Sequence, residues 1–273
     1  KSGVSQADIA WSGSAASLNS FNGAINVDEG ALAVNSGNTG TAGSGNSDVT
    51  VALGAEFDVR SGTVLIDSLD GAGTVKNSSG TGNTLSLGNN DGSGTFSGAI
   101  TLVDPDGFSV IKSGSGTQTL ANAEGNTYDG TTTINGGTLV EQPSLTGGTW
   151  TRATSSTTIE SEGTLVLDTS AQSNAGSRQD VGTITINSGG FLELTNTAST
   201  VDRSIWSGGS ILGSGTLVKS GSGHQDIAWS TSKTSLDSFS GAISIEGGYL
   251  IVNPNAGVVA GSGNFDVTVD ATL

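Results

Sequence analysis

The 273-residue sequence has no cysteine, no methionine, only three prolines and a single histidine. Without cysteine the chain cannot form disulfide bonds, thiolate metal sites or a cysteine nucleophile. Basic residues are also scarce, since nine Lys plus Arg stand against 25 Asp plus Glu and give a net charge of −16. Phosphate contacts need clustered basic groups, so this charge argues against a nucleic-acid partner or an anionic membrane surface.

Long hydrophobic runs are missing as well. No apolar stretch approaches the roughly 18 residues of a membrane-spanning helix. The chain does not open with a basic region followed by an apolar core, which a secretory signal would show. We therefore expect that whatever directs or anchors the protein lies outside this sequence.

Glycine is abundant, with 44 residues, and it separates short alternating apolar segments. The segments INVDEGALAV at 25–34, TTINGGTLVE at 132–141 and ISIEGGYLIV at 243–252 share one plan. Two alternating apolar positions are followed by a Gly-bearing turn and then by two more apolar positions. Alternation with a period of two is typical of a strand with one buried face. Each segment is therefore predicted to form a strand, a corner and a second strand.

The spacing of these segments predicts how they stack. Successive segments start 24 to 27 residues apart, and fixed periods of this size indicate stacked repeats. A period built only of short strands suits one turn of a parallel β-helix better than a propeller blade. We predict an all-β, right-handed parallel β-helix of roughly 11 turns, continuous over residues 1–273. Ile25 and Val49 should then lie in adjacent turns.

A longer repeat lies above this period, because the pentapeptide DIAWS occurs twice. Shifting the chain by 218 positions aligns residues 1–51 with residues 219–269 without a gap, and 29 of the 51 pairs are identical. We interpret residues 1–218 as one superrepeat block and residues 219–273 as the start of the next. The parent protein is accordingly expected to be longer and to contain flanking copies of the block.

Two shorter phrases recur within the block. A lysine before a Gly/Ser turn can lay its stem on apolar neighbours and keep its ammonium group in water beside turn carbonyls or a nearby carboxylate. The lysines in this slot are Lys1, Lys76, Lys112 and Lys219. An aromatic residue two positions before a glycine also recurs, and such residues would stack along a rod as a ladder. The aromatic residues in this slot are Phe21, Phe96, Tyr128 and Phe239.

These phrases occur in a fixed order. VIKSGSGTQTLANAEGNTYDGTTTINGGTLV at 110–140, and GSGTLVKSGSG followed by SFSGAISIEGGYLIV within 213–252, resemble the passenger-associated transport repeat of bacterial autotransporters. The resemblance implies a secreted, surface-displayed right-handed β-helix, held at the bacterial outer membrane through a C-terminal anchor outside this chain. Freedom from cysteine agrees with passage through an oxidising periplasm.

Catalysis is the alternative, because parallel β-helices also carry polysaccharide lyases and glycoside hydrolases. The single histidine, His224, corresponds to Gln6 in the first copy and is expected in a solvent-facing turn, which argues against a Ser-His-Asp relay. A pair of carboxylates would be needed instead. The candidate pairs, each beside a turn glycine as expected for solvated corners, are Asp28 with Glu29, Asp67 with Asp70, Asp104 with Asp106, and Glu160 with Glu162.

Two further patterns resemble binding sites. The stretches NNDGSG at 89–94 and VDPDG at 103–107 lack the ligand spacing of an EF-hand, so both are predicted to be turns. The Thr-x-Thr pairs at 131–133 and 183–185 do not recur at a constant interval. We therefore expect no continuous threonine face.

The hypothesis we favour is a noncatalytic one. The chain is expected to be a surface-exposed adhesin or stalk segment that mediates cell attachment, aggregation or biofilm formation. Its expected partners are a host or abiotic surface, glycans or copies of itself, and no cofactor and no metal is expected. Trp150 and Trp206 lie where the repeat is loosest, and they are the candidate glycan-stacking residues.

Overall fold

The structure is a computed structural model of the chain. The residues that it describes are 1–9, 18–35, 40–60, 62–79, 82–103, 107–122, 125–142, 149–151, 155–171, 177–180, 182–197, 203–205, 210–227, 236, 238–252 and 266–269. They contain strands and turns and no helix, and so no helix with the length and hydropathy needed to span a membrane.

The strands are numbered β1 to β29 in chain order and form four sheets in which every pairing is parallel. Sheet I consists of β1 (Gln6–Ile9), β3 (Ala31–Asn35), β6 (Glu56–Arg60), β9 (Thr74–Asn77) and β12 (Ala99–Leu102). Sheet II consists of β4 (Thr41–Ala42), β7 (Thr63–Leu65), β10 (Asn83–Leu87), β13 (Phe108–Lys112), β15 (Thr131–Ile134), β18 (Ser156–Ile159), β21 (Thr183–Ile186) and β24 (Ile211–Gly213).

The other two sheets are built in the same way. Sheet III consists of β2 (Ile25–Val27), β5 (Val49–Val51), β8 (Leu69–Gly71), β11 (Gly94–Phe96), β14 (Thr117–Leu120), β16 (Gly137–Glu141), β19 (Gly163–Asp168), β22 (Phe191–Thr195), β25 (Thr216–Ser220), β27 (Ala242–Ile245) and β29 (Asp266–Val269). Sheet IV consists of β17 (Thr149–Thr151), β20 (Ser177–Asp180), β23 (Arg203–Ile205), β26 (His224–Ile227) and β28 (Tyr249–Val252).

The chain visits these sheets in a fixed cycle. In the first half a strand of sheet I is followed by one of sheet II and one of sheet III, and in the second half sheet IV takes the place of sheet I. Each turn of the solenoid therefore has three sides. Sheets I and IV lie on the same side of the solenoid, one after the other. Between them one turn of the solenoid has no strand on that side, in the described residues 121–122 and 125–130. Buried Tyr128 lies in this turn and shares a 2.9 Å hydrogen bond with the Thr132 hydroxyl.

Inward-facing residues form continuous columns between the three sides. Ile25 pairs with Val49, so the predicted stacking of adjacent turns is confirmed. One column of aliphatic residues runs along sheet III, and each of its residues is at most 3% exposed. Its members are Leu139, Leu165, Leu192, Leu217 and Ile243. These pairings confirm the parallel β-helix. The longest sheet has eleven strands and the others five, eight and five, so the number of stacked turns depends on the side that is counted.

Glycine is required where a corner of one turn lies on the turn below. A Cβ atom on Gly98 would lie 1.9 Å from the carbonyl oxygen of Gly73, and one on Gly241 would lie 1.8 Å from that of Gly215. The ring of the aromatic residue two positions earlier also lies under each glycine, with Phe96 Cζ 2.7 Å from the added Cβ of Gly98. This close packing explains the recurrent aromatic-x-Gly phrase.

The predicted aromatic ladder is wrong. Phe96 precedes a strand of sheet I, Tyr128 precedes one of sheet II and Phe239 precedes one of sheet III, so these residues lie at different corners in different turns. Phe21 also precedes sheet III but is 40% exposed. The phrase is therefore a corner unit that serves any of the three corners of a turn.

Candidate functional site: the hydroxyl face of sheet II

The outer side of sheet II carries an unbroken column of serine and threonine residues. Side chains alternate along a strand, and the inward positions of this sheet are buried, so the intervening positions face outward. Strand pairing places the outward residues in register from turn to turn. The column consists of Thr41, Thr63, Thr84, Ser109, Thr131, Ser156, Thr183 and Ser210. Ser109 and Thr131 also touch directly, because the Thr131 backbone N–H donates to Ser109 Oγ at 3.0 Å.

A second outward column lies beside the first, two positions further along each strand. It mixes aliphatic and hydroxyl side chains and contains Leu65, Ser86, Ile111, Thr133, Thr158, Thr185 and Leu212. Ser86 is covered, because its hydroxyl group donates to Asn89 Oδ1 and its side chain is buried. Thr133 pairs with Thr158, and Thr158 pairs with Thr185. The Thr-x-Thr pairs at 131–133 and 183–185 thus lie in register on one face, with Ser156 and Thr158 between them, although they form no continuous threonine face. We call these two columns together the hydroxyl face.

The hydroxyl face carries no charged side chain on any of the eight strands of sheet II. The one ionisable residue in these strands, Lys112, is fully buried and points inward. A chain with a net charge of −16 thus has one side on which its strands present only neutral groups. Both columns consist of side chains that can pack closely against a flat neighbour without desolvating an ion.

The outer side of sheet I is different, because it holds a network of charged residues. Arg60 Nε donates to Asp58 Oδ2 at 2.8 Å, and Arg60 Nη1 lies 3.8 Å from Asp8 Oδ1. Lys76 Nζ lies 2.6 Å from Glu56 Oε2. Asp58 is fully buried beneath these side chains. The network joins strands β1, β6 and β9 of sheet I and leaves its polar groups paired with one another.

Lys112 occupies a position in a core column and not at the surface. Its neighbours in sheet II are Leu87 and Ile134, and its side chain is fully buried. The ammonium group donates to the carbonyl of Ser113 and to that of Gly136 in the next turn, the latter at 3.4 Å. Burial lowers the pKa of Lys112. The expectation that this ammonium group stays in water is wrong, because turn carbonyls replace the water.

Lys219 has the same surroundings at a different corner, between sheets III and IV. Its ammonium group donates to the carbonyls of Ser220, of Gly221 at 2.9 Å and of Gly247 at 3.2 Å. Burial lowers its pKa to about 8, and the carboxylate of Glu193 opposes that shift. The phrase Lys-Ser-Gly-Ser-Gly is therefore a second corner unit. Its lysine binds backbone carbonyls of the corner that directly follows it and of the corner above it in the next turn of the solenoid.

Lys76 does not belong to this group. In β9 the inward positions are Val75 and Asn77, so Lys76 faces outward and pairs with Glu56. Asn77 takes the inward position and accepts a hydrogen bond from Asn83 Nδ2 at 2.8 Å. A shift of one residue along a strand moves a side chain to the opposite side of the sheet, which explains the difference.

The candidate catalytic carboxylates of the first half hold neighbouring turns together. Asp67 Oδ1 accepts hydrogen bonds from the backbone N–H groups of Asn90 at 2.9 Å and Gly92 at 2.7 Å. Asp70 Oδ1 accepts one from Thr95 N–H at 2.8 Å. Each carboxylate is thus hydrogen-bonded to the backbone of the next turn, as expected for a residue that caps a corner.

The remaining carboxylate pairs are also unlike a general acid and base. Glu160 Oε2 accepts a hydrogen bond from Asn187 Nδ2 at 2.7 Å, and residues 28 and 29 are exposed. Asp91, in the NNDGSG turn, accepts a hydrogen bond from Ser115 N–H at 2.7 Å, and this bond lowers the pKa of Asp91. Within the described ranges no group of three or more His, Cys, Asp or Glu could hold a metal ion. Asp104 and Asp106 lie outside the described residues.

The two tryptophan candidates are not brought together by the described structure. Trp150 is the central residue of β17 in sheet IV and pairs with Gln179, but its side chain lies outside the described part of the structure. Trp206 lies wholly outside it. Glycan stacking by these residues stays a prediction.

His224 lies in a strand and not in the predicted turn. It begins β26, and its ring meets the ring of Tyr249 edge-on, with 4.7 Å between the ring centroids. In the first copy the same two positions are occupied by Gln6 and Ala31. The aromatic pair is therefore specific to the second copy of the block.

The chain is similar in sequence to known autotransporters. Residues 110–140 match the passenger-associated-transport-repeat family. The chain carries an autotransporter passenger repeat. It is also 30% identical over 208 residues to the adhesin BmaC autotransporter of Brucella suis biovar 1 (strain 1330), a match that covers 75% of the chain. This autotransporter passenger segment spans 5% of the length of that relative, and no solved structure matches it.

Proposed function

We propose that this chain is a noncatalytic stalk and contact segment of a surface-displayed bacterial adhesin, which mediates cell attachment or aggregation. The observation that carries the proposal is the hydroxyl face, because it runs unbroken over eight strands without a charged side chain. A long, neutral side on a strongly acidic rod is suited to contact with another surface. The similarity to an adhesin autotransporter supports the same function.

The partners in this proposal are a host or abiotic surface, glycans or further copies of the chain. In the parent protein we expect flanking superrepeats and a C-terminal membrane anchor that holds the rod at the cell surface. Duplication of a block of solenoid turns supports a stalk function, because added turns lengthen a rod without creating a new active site.

A polysaccharide lyase or glycoside hydrolase is the alternative that we set aside. Its chemistry needs two carboxylates directed at one glycosidic bond. Asp67 and Asp70 are instead engaged by backbone N–H groups of the next turn, and Glu160 is engaged by the side-chain amide of Asn187. These contacts support a structural role for the acidic residues.

The experiment uses beads coated with the purified chain. We expect the beads to aggregate or to attach to host matrix, plastic or a glycan array, and beads coated with an unrelated acidic protein serve as the control. The same protein should leave a panel of plant and bacterial polysaccharides intact. Release of new reducing ends or of unsaturated sugars would contradict the noncatalytic proposal, and a complete lack of attachment would contradict the adhesive one.

A further inference from the structure

We infer that the hydroxyl face is the surface through which two copies of this chain pack side by side. The inference rests on the proposed function and assigns its contact to one sheet and one kind of partner. The partner is a second copy of the same rod, and the contact joins sheet II to sheet II.

Charge is the first argument for a second copy. Two chains of −16 repel each other, and contact through sheet I or sheet III would bring charged side chains together. Asp58 and Glu56 lie on the outer side of sheet I, and Asp70 and Glu193 lie on that of sheet III. Sheet II is the side on which two copies can meet without burying a like-charged pair.

Hydrogen-bonding chemistry is the second argument. A carboxylate only accepts hydrogen bonds and an ammonium group only donates them, so a face built from either cannot pair with its own copy. A hydroxyl group both donates and accepts. A column of serine and threonine residues is therefore complementary to itself, as an interface between identical copies requires.

The shape of the face is the third argument. The in-register column spans seven steps of about 4.8 Å, or roughly 34 Å, along the rod. Leu65, Ile111 and Leu212 lie among the hydroxyl residues of the second column and supply apolar contacts. Two such sheets can pack face to face at the distance of about 10 Å that is usual in β-sandwiches.

The size of the face sets the strength that we expect. A strip of about 34 Å by 15 Å buries roughly 500 Å² on each copy, which is at the lower limit of specific protein interfaces. A single chain should therefore dimerise weakly. Tandem blocks on two neighbouring cells would bind much more tightly, because each additional contact is made at a high effective concentration.

Cross-linking tests which face makes the contact. The chain has no cysteine, so one introduced cysteine reports on one position. Thr133 lies in the middle of the second column, and Thr119 is a half-buried, outward residue of sheet III that serves as the matched control. Under mild oxidation at high protein concentration we expect Thr133→Cys to form disulfide dimers at least tenfold faster than Thr119→Cys. Equal rates would overturn the inference.

A charge-swap experiment tests whether the same face lies on both sides of the contact. We expect Thr133→Glu and Thr133→Lys each to weaken dimerisation at least tenfold in sedimentation equilibrium, while Thr119→Glu leaves it unchanged. An equimolar mixture of the two Thr133 variants should recover association, because opposite charges then meet across the interface. Dimerisation by Thr133→Glu at the wild-type level, or a mixture no stronger than its components, would overturn the inference.

Salt and surface attachment separate this inference from the proposed function. Dimerisation should strengthen from 50 mM to 500 mM NaCl, because salt screens the repulsion between acidic rods and the interface holds no ion pair. Weakening by salt would count against the inference. If beads coated with the chain attach to a host surface but the wild-type chain does not dimerise, the adhesin proposal stands and the self-association is overturned.

Discussion

A buried ammonium group is stable only when other groups replace its lost water. In this autotransporter passenger segment the lost water is replaced by backbone carbonyls of the Gly/Ser corners. Lys219 and Lys112 each bind carbonyls of two successive turns and so hold a corner of one turn to the next. The lysine is thus a structural residue of the corner.

The lowered pKa of Lys219 makes the stability of this corner depend on pH. In the unfolded chain the Lys219 ammonium group keeps its proton up to about pH 10.4. In the folded chain the same group releases the proton near its pKa of about 8. Between these values the unfolded state binds more protons, so the free energy of unfolding rises with pH. Urea unfolding of wild type and Lys219→Met should show wild type gaining about 1–2 kcal/mol relative to the variant from pH 7 to pH 10. A difference that stays constant over this range would contradict the lowered pKa.

At the scale of strands and sheets, side-chain alternation decides which chemistry faces outward. The sequence predicted strands, corners and the stacking of Ile25 on Val49, because period-two alternation and glycine turns can be read from the residues alone. It did not separate Lys76, whose ammonium group lies beside the carboxylate of Glu56 as expected, from the buried Lys112 and Lys219. One residue more or fewer before a corner moves a side chain to the other face, and the sequence does not mark where pairing begins.

The hydroxyl face escaped prediction for a related reason. Thr133 and Thr158 are 25 residues apart, whereas Thr158 and Thr185 are 27 apart, so no constant interval marks the column. Strand pairing fixes the register, and loops absorb the difference in length at little cost, because loop-closure entropy changes slowly with loop length. Comparing the residues that precede each buried aliphatic, strand by strand, would have revealed the column.

The charged network of sheet I should stabilise the turns that it joins. Asp58 accepts hydrogen bonds from Arg60 Nε and Ser78 Oγ while fully buried, so its neutral amide analogue would leave the half-buried Arg60 guanidinium less well paired. We expect Asp58→Asn to lower the free energy of unfolding by about 2 kcal/mol, measured by urea denaturation. Asp28→Asn, at an exposed turn, is the control and should change stability by less than about 0.5 kcal/mol. Equal effects of the two substitutions would show that the network contributes nothing.

At the scale of the whole molecule, sheet III makes the length of the rod measurable. Asn26 and Thr268 lie in one outward column of this sheet, ten strand steps apart, which corresponds to about 48 Å. Spin labels on cysteines at these two positions should give that distance by double electron–electron resonance. The control pair Thr119 and Thr268, six steps apart, should give about 29 Å. A ratio of the two distances far from ten to six would contradict a uniformly stacked rod.

The three-sided turn has a further consequence for how such a chain can change over generations. The aromatic corner unit occurs at all three corners of a turn, and the lysine corner unit occurs at two of them, at Lys112 and Lys219. A recombination event that inserts or deletes a single side of a turn therefore rotates the downstream pattern by one third of a revolution and still meets compatible corners. Genes of this kind can change in length by small increments, because the similarity of the three corners lets the fold accept the products of imperfect crossovers.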